Sequence, residues 1–69
     1  MRLHYLVRGF RNRKYTHTEG YINTEHPSRD TAIRISKAVR GEGINPNTCI
    51  LTDVENGKKY IYELLYKVE

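Results

Sequence analysis

A chain of 69 residues with 38% hydrophobic residues and a single cysteine buries only roughly 60% of the surface its unfolded form exposes, which leaves room for one small domain and excludes a disulfide framework. No apolar run is long enough to span a membrane and no charged-then-apolar leader opens the chain, so a soluble cytoplasmic protein without membrane contact is expected. The net charge of +4 is unevenly held: residues 1–40 carry nine Lys and Arg against three acids, +6, and residues 41–69 carry three against five, −2, which points to a nucleic acid or an acidic protein surface as a partner of the first half.

From Arg2 to Phe10, Leu3, Tyr5 and Val7 alternate with His4, Leu6 and Arg8, the pattern of a first strand. Arg11-Asn12-Arg13-Lys14 is a polar, positively charged break, and Tyr15 to Asn23 resumes a weaker alternation, so the two segments read as a hairpin. Gly20 inside the second strand is expected to mark a bulge or the close approach of another backbone.

Pro27-Ser28-Arg29-Asp30-Thr31 has the features of a helix start, with Ser28 as N-cap and Asp30 where negative charge suits the helix dipole. The helix is predicted from about Arg29 to Arg40. At 100° per residue Ala32, Ile35, Ser36 and Val39 share an apolar stripe, while Arg29, Arg34, Lys37 and Arg40 share a basic arc in which Ile33 is the apolar exception. Gly41 and Gly43 end the helix, and Pro46 keeps the connection from rejoining it.

In the last third Asn56-Gly57 separates two alternating runs, Thr48 to Glu55 and Lys58 to Val68, as a two-residue hairpin turn would. Pairing Glu55 with Lys58 sets Leu51 opposite Tyr62 and Cys49 opposite Leu64 on a core face with Asp53 and Tyr60. The reverse face then holds Ile50, Ile61, Leu65 and Val54 among Thr48, Thr52, Lys59 and Glu63. A solvated antiparallel face should read polar, so these apolar residues point to a covering partner. The elements add up to an α+β fold of order ββαββ, a single antiparallel four-stranded sheet with one helix on one face, as one domain over residues 1–69.

Chemistry is sparse. His4, His17 and His26 match no zinc spacing, Ser28 and Ser36 are a cap and a small packing residue, Asp53 and Glu55 flank a turn, and Gly41-Glu42-Gly43 lacks the strand and helix of a dinucleotide fingerprint. A chain of this size also has little material for a water-excluding pocket, so neither an enzyme nor a cofactor or metal is expected. Cys49 falls on the core face, as a small buried thiol. Six tyrosines supply much of the aromatic bulk; Tyr5, Tyr15 and Tyr21 could stack on unpaired bases, although packing explains them more simply and no RNP-like aromatic motif is present.

The order of elements, Tyr5-Leu6-Val7-Arg8 in the first strand, Ala32-Ile33-Arg34-Ile35-Ser36-Lys37 in the helix, and Thr48 with Val54-Glu55-Asn56-Gly57 in the last hairpin resemble those of small phage-encoded anti-CRISPR proteins, in particular a ββαββ family that inhibits type I surveillance complexes. The resemblance implies a non-enzymatic inhibitor, in the host cell cytoplasm, that docks on a protein subunit of a CRISPR effector and blocks capture of target DNA. The chain's positive charge departs from acidic DNA mimicry. It leaves contact with an acidic protein patch, or retention of DNA in an unproductive place, and no functional residue carries over from the family.

Two functions follow as expectations. A protein-binding inhibitor would use Tyr15, Ile33, Ile50, Ile61 and Leu65 as its contact residues, with the basic helix arc at the rim. A nucleic-acid-binding module would instead use the basic surface of Arg8, Arg11, Arg13, Lys14, Arg29, Arg34, Lys37 and Arg40. A homodimer through the uncovered sheet face is the third expectation.

Overall fold

The computed structural model describes residues 1–64, which form β1 (Arg2–Arg11), β2 (Lys14–Asn23), α1 (Arg29–Gly41), β3 (Asn45–Asp53) and β4 (Lys59–Glu63). The strands make one antiparallel sheet in the spatial order β2-β1-β3-β4, so the expected α+β, ββαββ architecture is present. Because β1 is antiparallel to both neighbours, β2 and β3 run the same way on either side of it. Parallel strands need a crossover, and α1 supplies it.

Local chemistry sets the ends of α1. The Ser28 hydroxyl accepts the Thr31 N–H at 3.2 Å, and Asp30 lies in the first turn. At the other end Gly43, with φ of 92°, donates to Arg40 O at 3.0 Å and Ile44 donates to Val39 O at 3.4 Å, the paired bonds of a Schellman motif. The helix buries Ala32, Ile35, Ser36 and Val39, the stripe expected of it. Against this stripe the sheet turns Leu3, Val7, Cys49 and Leu51, joined by Ile44 and Leu64, with Tyr5, Ile22, Tyr60 and Tyr62 packed at the margin.

The two-residue turn expected at Asn56-Gly57 is found in the other hairpin. The tight turn lies in the first, where Arg11 pairs with Lys14 and both intervening residues are left-handed, Asn12 at φ 50° and Arg13 at φ 65°. This is the backbone a type I′ turn demands. In the second hairpin the Asp53 N–H donates to Lys58 O at 2.9 Å around a four-residue loop, in which Gly57 alone takes a positive φ, 74°. Side chains widen it: the Asp53 carboxylate accepts the Glu55 N–H at 2.9 Å and the Asn56 amide oxygen accepts the Lys58 N–H at 2.8 Å. Asx bonds of this kind replace the two-residue turn.

The register of β3 and β4 is accordingly displaced by two residues from the expected one. Leu51 faces Tyr60 rather than Tyr62, Cys49 faces Tyr62 rather than Leu64, and Ile50 faces Ile61. A slip of two residues preserves the face of every side chain, so the division into core and outer faces stands although the pairings do not. The part of the expected last strand from Leu65 to Val68 lies outside the described residues.

Two glycines and a proline are also reassigned. The β1–β2 ladder runs without a bulge, and Gly20 meets not a backbone but the phenol of Tyr5, its cross-strand partner. The irregularity lies between β1 and β3, where Arg8 faces Thr48 but Gly9 faces Pro46, so that Asn47 is the extra residue. Pro46 is therefore inside β3 at the bulge, opposite Gly9, rather than in the connection.

Arg13 has a cost that a glycine would not carry, since a residue with a Cβ in the left-handed region loses roughly 1–2 kcal/mol. After allowance for glycine's greater freedom in the unfolded chain, Arg13→Gly is expected to stabilise the fold by about 0.5–1 kcal/mol. A thermal melt followed by circular dichroism should show Tm rising by a few degrees.

Candidate docking face

The strand pairings line up the side chains opposite the helix in rows. Glu19, Leu6, Ile50 and Ile61 form one row across all four strands, with His17, Arg8, Thr48 and Glu63 on one side of it and Tyr21, His4, Thr52 and Lys59 on the other. Phe10 and Tyr15 close one end of the face and Arg2 the other. Ile61 is 65% exposed, Tyr15 and Tyr21 58% and Phe10 47%, while Leu6 and Ile50 are half-buried. Three strands thus share an aliphatic row flanked by exposed rings.

Those rings are held by their neighbours. Phe10 and Tyr15 meet edge to face at 5.2 Å between centroids. Tyr21 takes the edge of His4 at 5.2 Å and carries the Arg2 guanidinium 4.6 Å from its centroid. His4 Nε2 in turn lies 3.2 Å from Glu19 Oε2. Such pairs limit the rotamers of large side chains, and less freedom is then lost when a partner covers them.

Of the residues expected to bind a partner, Tyr15, Ile50 and Ile61 do share this face. Ile33 does not: it is half-buried on α1, on the other side of the sheet, and Leu65 lies outside the described residues. Phe10 was not among the expected contacts, although it has the same parity along β1 as Leu6 and so had to point outward once Leu3, Tyr5 and Val7 were assigned inward.

The expected basic surface is likewise divided. Arg8 is on the open face and Arg13 at the tip of the first hairpin, whereas Arg29, Arg34, Lys37 and Arg40 are exposed on the helix, on the far side of the sheet. Arg11 points toward the helix side, where its Nη2 donates to Glu42 O at 2.8 Å. The guanidinium thereby meets an orphan carbonyl at the negative end of α1.

Other chemistry is limited. His4, His17 and His26 are on β1, β2 and the loop before α1, and among the described residues no group of three or more His, Cys, Asp or Glu is placed to hold a metal ion. An open groove of about 300 Å³ between α1 and the β2 side of the sheet is lined by Tyr5, Ile22, Ile35, Ala38 and Val39, with Arg34 and Glu42 at its edges. No helix among the described residues is long and apolar enough to cross a membrane.

Cys49 is fully buried between β1 and β4, and that burial pushes its thiol up to about 11. Thiolate is the reactive form. Cys49 is therefore expected to resist a thiol-disulfide reagent at mildly alkaline pH in the native protein and to react fully in denaturant; rapid native reaction would mean that the core opens there.

Comparisons with protein-family models, with curated proteins and with solved structures return no match.

Proposed function

We propose that this chain is a non-enzymatic binding protein whose open sheet face docks on a protein partner, as an inhibitor of the anti-CRISPR type would dock on a subunit of a nucleic-acid-targeting complex and block its capture of DNA. One observation carries it: the aliphatic row Leu6, Ile50 and Ile61 runs across three strands between exposed Phe10, Tyr15 and Tyr21. Aromatic anchors around an apolar centre with arginines nearby are the composition of an interface core. A nucleic acid laid here would cover the aliphatic row without stacking on it or meeting it with phosphates, whereas a protein side chain packs on it directly. Arg2, Arg8 and Lys59 outnumber Glu19 and Glu63 on the same face, so an acidic rim on the partner fits.

In a host with an active type I interference complex, expression of the chain is expected to restore phage plating, and Ile61→Asp to abolish the restoration. Plating unchanged by the wild-type chain removes the inhibitor role.

A second function, nucleic-acid binding, is favoured by the Arg11 tether, which draws the basic tip of the first hairpin against the last turn of α1. Arg13 is kept there at the conformational cost described above. If phosphates bind at this end, affinity for a single strand falls with salt at a log-log slope of about −0.7 per phosphate contact, and replacing Arg13 and Lys14 by Ala reduces that slope by about 1.4. Fluorescence anisotropy on an unstructured oligonucleotide measures it; no binding at low salt removes this function.

A further inference from the structure

We infer that two copies of this chain pair through β2, antiparallel and edge to edge, with Thr18 on the two-fold axis, to make one continuous sheet. This goes beyond the docking function and rests first on the backbone of the β2 edge, which that function does not use. The edge is long and unguarded: β2 has ten residues, no proline and no bulge against β1, and its only charged side chains are Lys14 and Glu19. β4, the edge strand at the other side of the sheet, has five residues, bounded by Lys59 and Glu63. Short, charged edges deter pairing, and long uncharged ones invite it.

The backbone restricts the register. Thr24 N–H donates to Met1 O at 2.9 Å, and since ladder bonds alternate along an antiparallel pair, the even-numbered residues of β2 bond β1. Tyr15, His17, Glu19, Tyr21 and Asn23 therefore turn their N–H and C=O groups to the open edge. A second copy can bond them only where odd residues face odd residues. Two such registers overlap nine of the ten residues, one centred on Glu19 and one on Thr18.

Side chains choose between them. Centring on Glu19 sets two carboxylates directly opposite each other, which is destabilising. Centring on Thr18 sets His17 opposite Glu19 of the second copy, twice by symmetry, and Tyr15 opposite Tyr21 of the second copy, also twice. Glu19 presents Oε2 to His4 within its own chain, and Oε1 is the oxygen that the second His17 would meet. The edge-to-face pair Phe10–Tyr15 and the pair His4–Tyr21 lie in rows that this register joins end to end. Four rings then cross the junction at each of two symmetric places. The two-fold axis stands perpendicular to the sheet, so both open faces lie on one side and form a single doubled surface.

Sedimentation equilibrium is expected to give twice the 8.1 kDa chain mass, and His17→Pro to return it to the monomer, because proline removes an outward N–H that β1 does not use. Thr18→Cys is expected to form a covalent dimer on mild oxidation and Glu19→Cys not to, since directly opposed non-hydrogen-bonded residues have Cα atoms about 4.5 Å apart, within the roughly 4.4–6.8 Å that a disulfide spans. The buried Cys49 does not compete. A monomer at every concentration, a dimer that persists in folded His17→Pro, or cross-linking at residue 19 instead of 18 overturns the inference. Should His17→Pro fail to fold, cross-linking at residue 18 decides alone.

Discussion

Gly9→Ala is expected to be the most damaging glycine-to-alanine change in the chain, lowering stability by about 3 kcal/mol or more. A Cβ at Gly9 would run into the Asn45 carbonyl oxygen and lie 2.8 Å from both Asn45 C and Pro46 Cα. All three atoms belong to the backbone of the β3 bulge, so relief requires β1 and β3 to part. These are the central strands of the sheet. Overpacking a well-filled site costs typically about 1–3 kcal/mol and occasionally more, and here no side chain is available to give way. In a domain this small, stability lies toward the low end of about 5–15 kcal/mol.

Two other glycines calibrate the effect. At Gly20 an added methyl meets the Tyr5 hydroxyl at 2.6 Å and Cζ at 2.8 Å, the far end of a side chain that can rotate. At Gly41 it meets nothing within 4 Å, and an alanine in the last helical turn is favoured over glycine by about 0.5–1 kcal/mol. Urea melts should rank the midpoints Gly41→Ala above wild type, then Gly20→Ala, then Gly9→Ala. A Gly9→Ala protein as stable as wild type would mean that the bulge is not held as described.

Most of the fold was legible because its signals were periodic. The stripe of Ala32, Ile35, Ser36 and Val39 follows from helical spacing, and the inward Cys49 and Leu51 from alternation in β3. Turn geometry was less so: Asn56-Gly57 has the composition of a type I′ turn, but Asp53 four residues before Gly57 captures the Glu55 N–H and opens the loop. Conversely Asn12-Arg13 lacks the glycine that signals such a turn, and the ten-residue strands on either side impose it. The close backbone contact was sought at Gly20 and lies at Gly9, because which strand crosses a glycine depends on topology rather than on its own neighbours. The docking face was half visible. Ile50 and Ile61 stood out by breaking a polar pattern, whereas Ile33 stood out only as the apolar member of a basic helix arc, and that helix packs on the opposite side of the sheet.

That separation of front and back makes the second large prediction specific. The paired substitution Tyr15→Asp with Ile61→Asp is expected to abolish partner binding while the protein stays folded. Ile61 is 65% exposed, and surface changes of that kind usually move stability by within about 0.5 kcal/mol. Tyr15 gives up its contact with Phe10, worth about 0.5–1.5 kcal/mol. Against this, each central anchor of an interface contributes about 2 kcal/mol or more, and every 1.4 kcal/mol is tenfold in affinity. The pair together should weaken the complex by roughly a thousandfold, and the added negative charges oppose an acidic partner further. Arg34→Glu with Lys37→Glu, on the helix behind the sheet, should leave the same complex intact. Titration calorimetry of wild type and the two double variants against a subunit of the targeted complex reads both effects. Undiminished binding by the folded Tyr15→Asp, Ile61→Asp protein would move the docking surface off the open face, and loss of binding in the helix variant would place it on α1.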